Sequence, residues 1–426
     1  MVDPSRGREA SVQYRSRVAD QQLAVALQQR GAVLLEGVKA CGKTETAARI
    51  AVSQVRLDVD IAAQQLARTD PRLLLAGDPP RLLDEWQLAP VLWDHVRRAV
   101  DDSGTPGRFI LTGSARPARD ARRHSGAGRF ATIRMRPLTL HEALDTPHVS
   151  LRALFDGEAP SVAGGVAGLA ETLVWLVWGG WPGHLDAPTR EFAHDYLDQI
   201  VEVDLPTAPG RDGNEPARRR DPARIRRLID SVARNTATSA GERALAEDAG
   251  LSRDSVREYL AALQHLMLVE PLPAFATHLR SSRRLRERPK WHLVDPSLAA
   301  AALGADVDRL LADLQFTGLL FESMAVRDLR VLAGPLAGQV SYFQTDDHEI
   351  DAVVSLPDGR WAGCEVKLGG TDAIDAGAAS VLAAAASIDQ SKAGPPAFLA
   401  VVTAFGEYAY QRTDGVLVLP LGLLGP

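Results

Sequence analysis

The octapeptide Gly37-Val38-Lys39-Ala40-Cys41-Gly42-Lys43-Thr44 satisfies G-x-x-x-x-G-K-[ST] without a gap, and no other stretch constrains this chain as strongly. Its glycines let the backbone curl until successive N–H groups converge on one anion, the pattern of a loop that cradles phosphates. Such a loop works between a buried strand and a helix, because the helix N-terminus adds partial positive charge to the site. The flanks agree: residues 31–36 (Gly-Ala-Val-Leu-Leu-Glu) form a short apolar run, and Thr44–Val55 has helical composition. Lysine is scarce, occurring at positions 39, 43, 290, 367 and 392, so five of the 48 basic residues are Lys and the rest Arg. A lysine inside a motif therefore stands out against this composition.

Further strands and helices alternate downstream. Arg81–Trp86 and Arg108–Ser114 are apolar runs of strand length, separated by a helical stretch over Val91–Val100. That alternation predicts a parallel α/β sheet. With ATP and Mg²⁺ as the expected ligands, the eight loop residues form the nucleotide-binding set. Lys43 would neutralise phosphate charge and Thr44 would ligate Mg²⁺. Asp84 and Glu85 end the second strand, where Asp84 would hold the metal and Glu85 would orient or deprotonate the attacking water. Thr112 and Ser114, ending the third, are candidates for sensing the γ-phosphate, and Arg129 for neutralising charge on the transferring group. Residues 138–205 read as helical, with Trp175, Trp178 and Trp181 close together.

The stretch 211–227 reads as an Arg-rich linker. Residues 244–263 then read as helix, Gly turn and helix, with Ser252 as N-cap and a capping-box start at Ser239-Ala-Gly-Glu242. Strands at 266–270 and 291–295 would flank a wing that carries Arg280, Arg283, Arg284, Arg286, Arg288 and Lys290 against Glu287. This winged helix-turn-helix pattern makes Arg253, Ser255 and Arg257 candidate base readers, and Arg283, Arg284 and Arg286 candidate phosphate contacts on duplex DNA. The competing reading is a protein-binding winged helix with a solvated Arg loop. Farther on, residues 349–354 and 361–367 alternate as a hairpin about a Pro-Asp-Gly turn, which places Glu365 and Lys367 on one face with Asp351 opposite. The D…E-x-K arrangement resembles that of PD-(D/E)xK nucleases, which would give Asp351 and Glu365 a metal and Lys367 a hydrolytic water. Glu322 resembles the helix carboxylate that completes such sites; a structural salt-bridge face is the alternative.

Taken in order, Gly37–Thr44, Leu82–Gln87, Ile110–Ser114, Gly128-Arg129, Met135–Glu142 and Gly179–Pro182 resemble the bacterial and archaeal AAA-type P-loop ATPases that carry a conserved C-terminal domain of unknown function. The resemblance implies a P-loop NTPase sheet with ATP, Mg²⁺ and hydrolysis. Cys41 falls at a variable loop position in that pattern. Four units are expected: a P-loop ATPase domain at 1–140, a helical lid and linker at 141–220, a winged helix at 221–296, and a mixed α/β nuclease-like domain at 297–426.

Composition excludes several classes. A net charge of −6 over 426 residues rules out a polycation that coats nucleic acid, and no apolar run reaches membrane-spanning length. Two cysteines make neither a disulfide framework nor a zinc cluster. The first residues lack the apolar core of a secretory signal, so a cytoplasmic location is expected. The functional expectation is an ATP-hydrolysing enzyme whose nucleotide state repositions a DNA-facing C-terminal half. The alternative is a slow-turnover switch that recognises a protein or an operator and has no nuclease activity.

Overall fold

Five parallel strands form the sheet of the N-terminal half, in the spatial order Ser53–Arg56, Arg81–Asp84, Phe109–Gly113, Ala32–Gly37, Phe130–Met135. The computed structural model describes residues 14–426 except 115–125, 145, 165–167, 186–188, 190, 212–218 and 279. Ala32–Gly37 has a partner on both sides, with Glu36 opposite Gly113 and Gly37 opposite Met135. Its near-continuous apolar character fits burial on both faces. The loop after Gly37 therefore opens at the carboxyl ends of several strands, the end at which parallel α/β sheets hold ligands. Thr44–Val55 is not one helix. The helix runs only over Lys43–Ala48, and Ser53–Arg56 is an edge strand in which Val55 is buried while Gln54 and Arg56 are exposed.

Three helices, Pro222–Arg234, Glu242–Ala249 and Arg253–His265, lead into the antiparallel strands Val269–Leu272 and Lys290–Leu293. Ser252 caps the third helix by accepting from the Ser255 amide at 3.2 Å. The expected capping box at Ser239 is absent: the N-cap is Gly241, without a side-chain bond.

The C-terminal half is a seven-stranded sheet in the order Gln339–Gln344, Glu349–Ser355, Trp361–Lys367, Phe398–Thr403, Leu417–Pro420, Tyr408–Gln411, Val162–Ala163. The helix Leu314–Leu332 precedes it, and Thr371–Ser387 crosses between its parallel strands. Its last strand comes from far upstream. Val162–Ala163 pairs with Tyr408–Gln411, and Val149–Ser150 pairs with Leu424–Gly425. Residues expected in a lid thus complete the C-terminal sheet, and one buried apolar cluster runs from Val18 to Leu424.

A buried polar knot joins these parts. The Gly180 amide donates to Asp295 Oδ2 at 3.1 Å, and the Leu138 amide donates to the Gly180 carbonyl at 2.6 Å. Arg327 bonds both Asp295 (2.6 Å) and Asp328 (2.7 Å), and Asp328 Oδ2 accepts from the Leu140 amide at 2.9 Å. Only glycine fits at position 180, since a Cβ there would lie 2.2 Å from the Leu138 carbonyl oxygen. Gly180→Ala should therefore cost roughly 1–3 kcal/mol in denaturant unfolding. Gly318→Ala, in open space on the helix Leu314–Leu332, should be neutral or stabilising.

Candidate nucleotide site and carboxylate–lysine cluster

The loop Gly37–Thr44 borders a cavity of about 640 Å³. Gly42 takes a left-handed conformation (φ 96°), which turns the chain into the helix Lys43–Ala48. Lys43 is buried, and its ammonium donates to the carbonyls of Gly37 (3.0 Å) and Val38 (2.9 Å). The Thr44 hydroxyl donates to Asp84 Oδ1 at 2.9 Å, and the Thr112 hydroxyl bonds the same oxygen. Glu85 follows in left-handed backbone (φ 54°), a strained state for a residue with a side chain. Its amide donates to the Thr112 hydroxyl at 3.2 Å, and its carboxylate accepts from Ser114 at 3.3 Å and from Gln87. Lys43, Thr44, Asp84, Glu85, Thr112 and Ser114 thus meet at one place. Lys39 lies on the rim, paired with Asp204 at 2.7 Å.

One expectation fails here. Arg129 precedes the strand Phe130–Met135, so it sits at the amino end of a parallel sheet, opposite the loop, and pairs with Asp101 at 2.8 Å. It cannot reach a phosphate held by the same chain. Cys41, assigned no role from sequence, is fully buried, with Sγ packed 3.9 Å from the Met135 carbonyl.

Sequence reasoning also missed several residues. Gln87 bridges Glu85 and Ser114, and its place two residues after the Asp-Glu pair was the available signal. Trp181, Pro182, His184 and Phe192 wall the far side of the cavity. Arg17 is buried against the loop, donating to the Cys41 carbonyl (2.8 Å), the Arg136 carbonyl (2.7 Å) and Glu142 (3.1 Å).

In the C-terminal sheet, Lys367 bonds Glu365 Oε1 at 2.9 Å, and Asp351 Oδ2 accepts from the Val366 amide at 2.7 Å. Glu365 Oε2 is buried and has no hydrogen-bond partner. Lys290 is the unexpected member. It is no wing residue on the surface: it is buried, and its ammonium lies 2.9 Å from Glu322 and 2.7 Å from Glu349. Its scarcity as a lysine was the signal that set it apart from the arginines around it. Four carboxylates here share two ammonium groups. Burial, with Asp351 adding its charge, pushes Glu322 up to about 8 and Glu365 up to about 7, and burial raises Asp351 as well. For Glu322 burial prevails over the pull of Lys290, because that one cation is shared with Glu349 and Asp351. Among the described residues no group of three or more His, Cys, Asp or Glu is arranged to hold a metal ion.

The candidate DNA contacts are mostly engaged. Arg257 bonds Glu242 at 2.6 Å, and the Ser255 hydroxyl accepts from Arg224 at 3.0 Å, whereas Arg253 is exposed. Arg283 is pinned to the C-terminal sheet through the Gln344 carbonyl and the Phe343 ring. Arg284 bonds Gln339 at 2.9 Å, and Arg286 is exposed.

Residues 29–144 match the AAA domain. Two domains of unknown function match the remainder, DUF8612 over residues 171–309 and DUF4143 over residues 317–424. Uncharacterized proteins of Mycobacterium tuberculosis and Mycobacterium bovis are each 27% identical over 410 residues, covering 95% of this chain and 83% of theirs. Among solved structures, replication initiator DnaA bound to AMPPCP and single-stranded DNA overlays at TM-score 0.26 and 13% identity, covering 59% of this chain and 89% of that one. A STAND ATPase with a tetratricopeptide repeat sensor from Pyrococcus horikoshii overlays at 0.25 and 12%, covering 76% and 50%. Among the described residues no helix is long and apolar enough to cross a membrane.

The raised carboxyls make stability depend on pH. The folded state keeps protons at Glu322 and Glu365 that the unfolded chain releases above about pH 4.5, so stability falls as pH rises through about 5 to 8. Lys290, raised by its carboxylates, stays charged across that window and does not offset the slope. The thermal midpoint should drop between pH 5.5 and 8.5, and Glu365→Gln should flatten the profile.

Proposed function

We propose that this chain binds ATP with Mg²⁺ at the Gly37–Thr44 loop and hydrolyses it. The observation that carries this reading is the Thr44–Asp84 hydrogen bond at the mouth of the cavity, with the Glu85 carboxylate beside it. The hydroxyl and carboxylate oxygens of these two residues are the hard donors Mg²⁺ prefers, and they would hold it; when bound, the ion offsets charge on the phosphate oxygens. Lys43 exchanges its two carbonyl partners for phosphate oxygens. Glu85, steadied by Ser114 and Gln87, accepts the proton of the attacking water. Thr112 fixes the Asp84 carboxylate, and the aromatic wall of Trp181 and Phe192 accommodates the base.

The C-terminal half is the responding part in this reading. Arg17 ties the loop to Glu142, and Leu140 ties that segment to Asp328, so a change at the loop has a bonded route to the helix Leu314–Leu332. We take residues 221–296 as a winged helix and 297–426 as a PD-(D/E)xK-like domain. The unpartnered Glu365 Oε2 beside Asp351 is the feature that suits a divalent cation there. One observation favours the switch alternative for this half: Ser255, Arg257 and Arg283 already have partners within the chain, which suits a winged helix used for protein contact.

Lys43→Ala should abolish ATP binding in calorimetry. Glu85→Gln should retain binding and lose at least about 100-fold in phosphate release, since an amide cannot accept the proton. Wild-type turnover equal to that of Lys43→Ala, with and without duplex DNA, would defeat the hydrolysis reading. For the C-terminal face, Asp351→Ala and Glu365→Ala should remove Mn²⁺ binding and plasmid nicking together. Lys367→Ala should keep the metal and lose the nicking. Wild-type protein that neither binds Mn²⁺ nor nicks leaves the switch.

A further inference from the structure

A second cleft, of about 630 Å³, opens where the N-terminal sheet, the antiparallel ribbon and the C-terminal sheet meet. Arg134 on the strand Phe130–Met135, Arg136 just after it, Arg330 on the helix Leu314–Leu332, and Arg284 line it, and Glu270 on the strand Val269–Leu272 is the one acid among its lining residues. Glu270 is buried between three of these arginines, at 2.7 Å from Arg134, 3.0 Å from Arg136 and 2.8 Å from Arg330. One carboxylate cancels one charge. Glu36 reaches Arg134 only at 3.7 Å, and Arg284 bonds the neutral Gln339. Even counting Glu36, two positive charges are left over.

We propose that this cleft binds a phosphate group, free or in the backbone of a nucleic acid. Arg136 donates to Glu270 through Nε and Arg134 faces it through Nε, and among the described residues no acid accepts from the terminal nitrogens of Arg136, so its fork is available to a second oxyanion. Guanidinium groups arriving from separate elements match the several oxygens of a phosphate better than the two of another carboxylate, a role Glu270 already fills. The excess charge also weighs on the protein. Arg330 is pushed down to about 10 by burial, with Arg136 and Arg134 adding repulsion, and a bound dianion relieves that repulsion. Nothing here rests on ATP hydrolysis.

The test uses the full chain carrying Lys43→Ala, so that the Gly37–Thr44 loop does not contribute. Inorganic phosphate and pyrophosphate are titrated by calorimetry, and a labelled single-stranded DNA of about 15 nucleotides by anisotropy. Arg134→Gln and Arg284→Gln, both at the rim, should each weaken binding at least about fivefold and reduce the salt slope for the oligonucleotide by about 0.7 per lost contact. Arg72→Gln, which removes the same charge from an exposed pair with Asp70, should change nothing. Glu270→Gln should tighten binding, because it removes the competing carboxylate. Binding of the small anions without the oligonucleotide supports a free phosphate as the ligand; binding of the oligonucleotide with the stated losses supports a nucleic-acid backbone. No binding of any probe, binding unchanged by Arg134→Gln and Arg284→Gln, or equal binding of an oligo-glutamate peptide would overturn the proposal.

Discussion

The contact on which the rest of this molecule depends is the buried ion group Asp295–Arg327–Asp328. Asp295 is inaccessible to solvent, and Arg327 and Asp328 are nearly so. Charges moved out of water are tolerated only with close partners and full hydrogen bonding, and removing one partner leaves an uncompensated charge. Here the extra bonds come from backbone: Gly180 N–H on Asp295, Leu140 N–H on Asp328. The participants come from four segments, around Leu140, Gly180, Asp295 and the helix Leu314–Leu332 that carries both Arg327 and Asp328, so the ion group forms only when all four are assembled. The largest buried apolar cluster likewise spans from Val18 to Leu424, beside one smaller cluster within the N-terminal half and one within the C-terminal half.

The same group sets the shape of the cavity beside the Gly37–Thr44 loop. Trp181, on its wall, donates through Nε1 to Ser297 at 3.0 Å, and Ser297 in turn bonds Asp295. From the other side, Arg17 holds the Cys41 carbonyl of the loop and the Glu142 carboxylate together. Loop and wall therefore lean on one polar framework. A ligand that moves either one works against charged hydrogen bonds in a dry interior, where they are stiff.

Local pattern made much of this legible. The phosphate loop needed only its own eight residues and an apolar run before it. The hairpin 349–367 needed period-two alternation and a Pro-Asp-Gly turn, and it brings Glu365 and Lys367 onto one face as alternation requires. Arg129 shows a rule available but unapplied: in a parallel sheet the ligand side is the carboxyl end, and Arg129 stands before its strand. Lys290 shows the opposite case. In sequence it belongs to a basic run, and only the docking of that run against the strand Gln339–Gln344 turns it inward to Glu322 and Glu349.

The sequence by itself determined the phosphate loop, the acidic strand end beside it, the Gly-turned helix pair and the D…E-x-K hairpin, because each is written in neighbouring residues whose spacing matches one backbone period. Tertiary structure alone decided that Val162–Ala163 closes a sheet begun nearly 180 residues later, that Arg17 grips the loop, and that three arginines gather about Glu270. Those contacts join segments whose separation carries no periodic signal. They exist because buried charges and open sheet edges must find partners wherever the fold brings them.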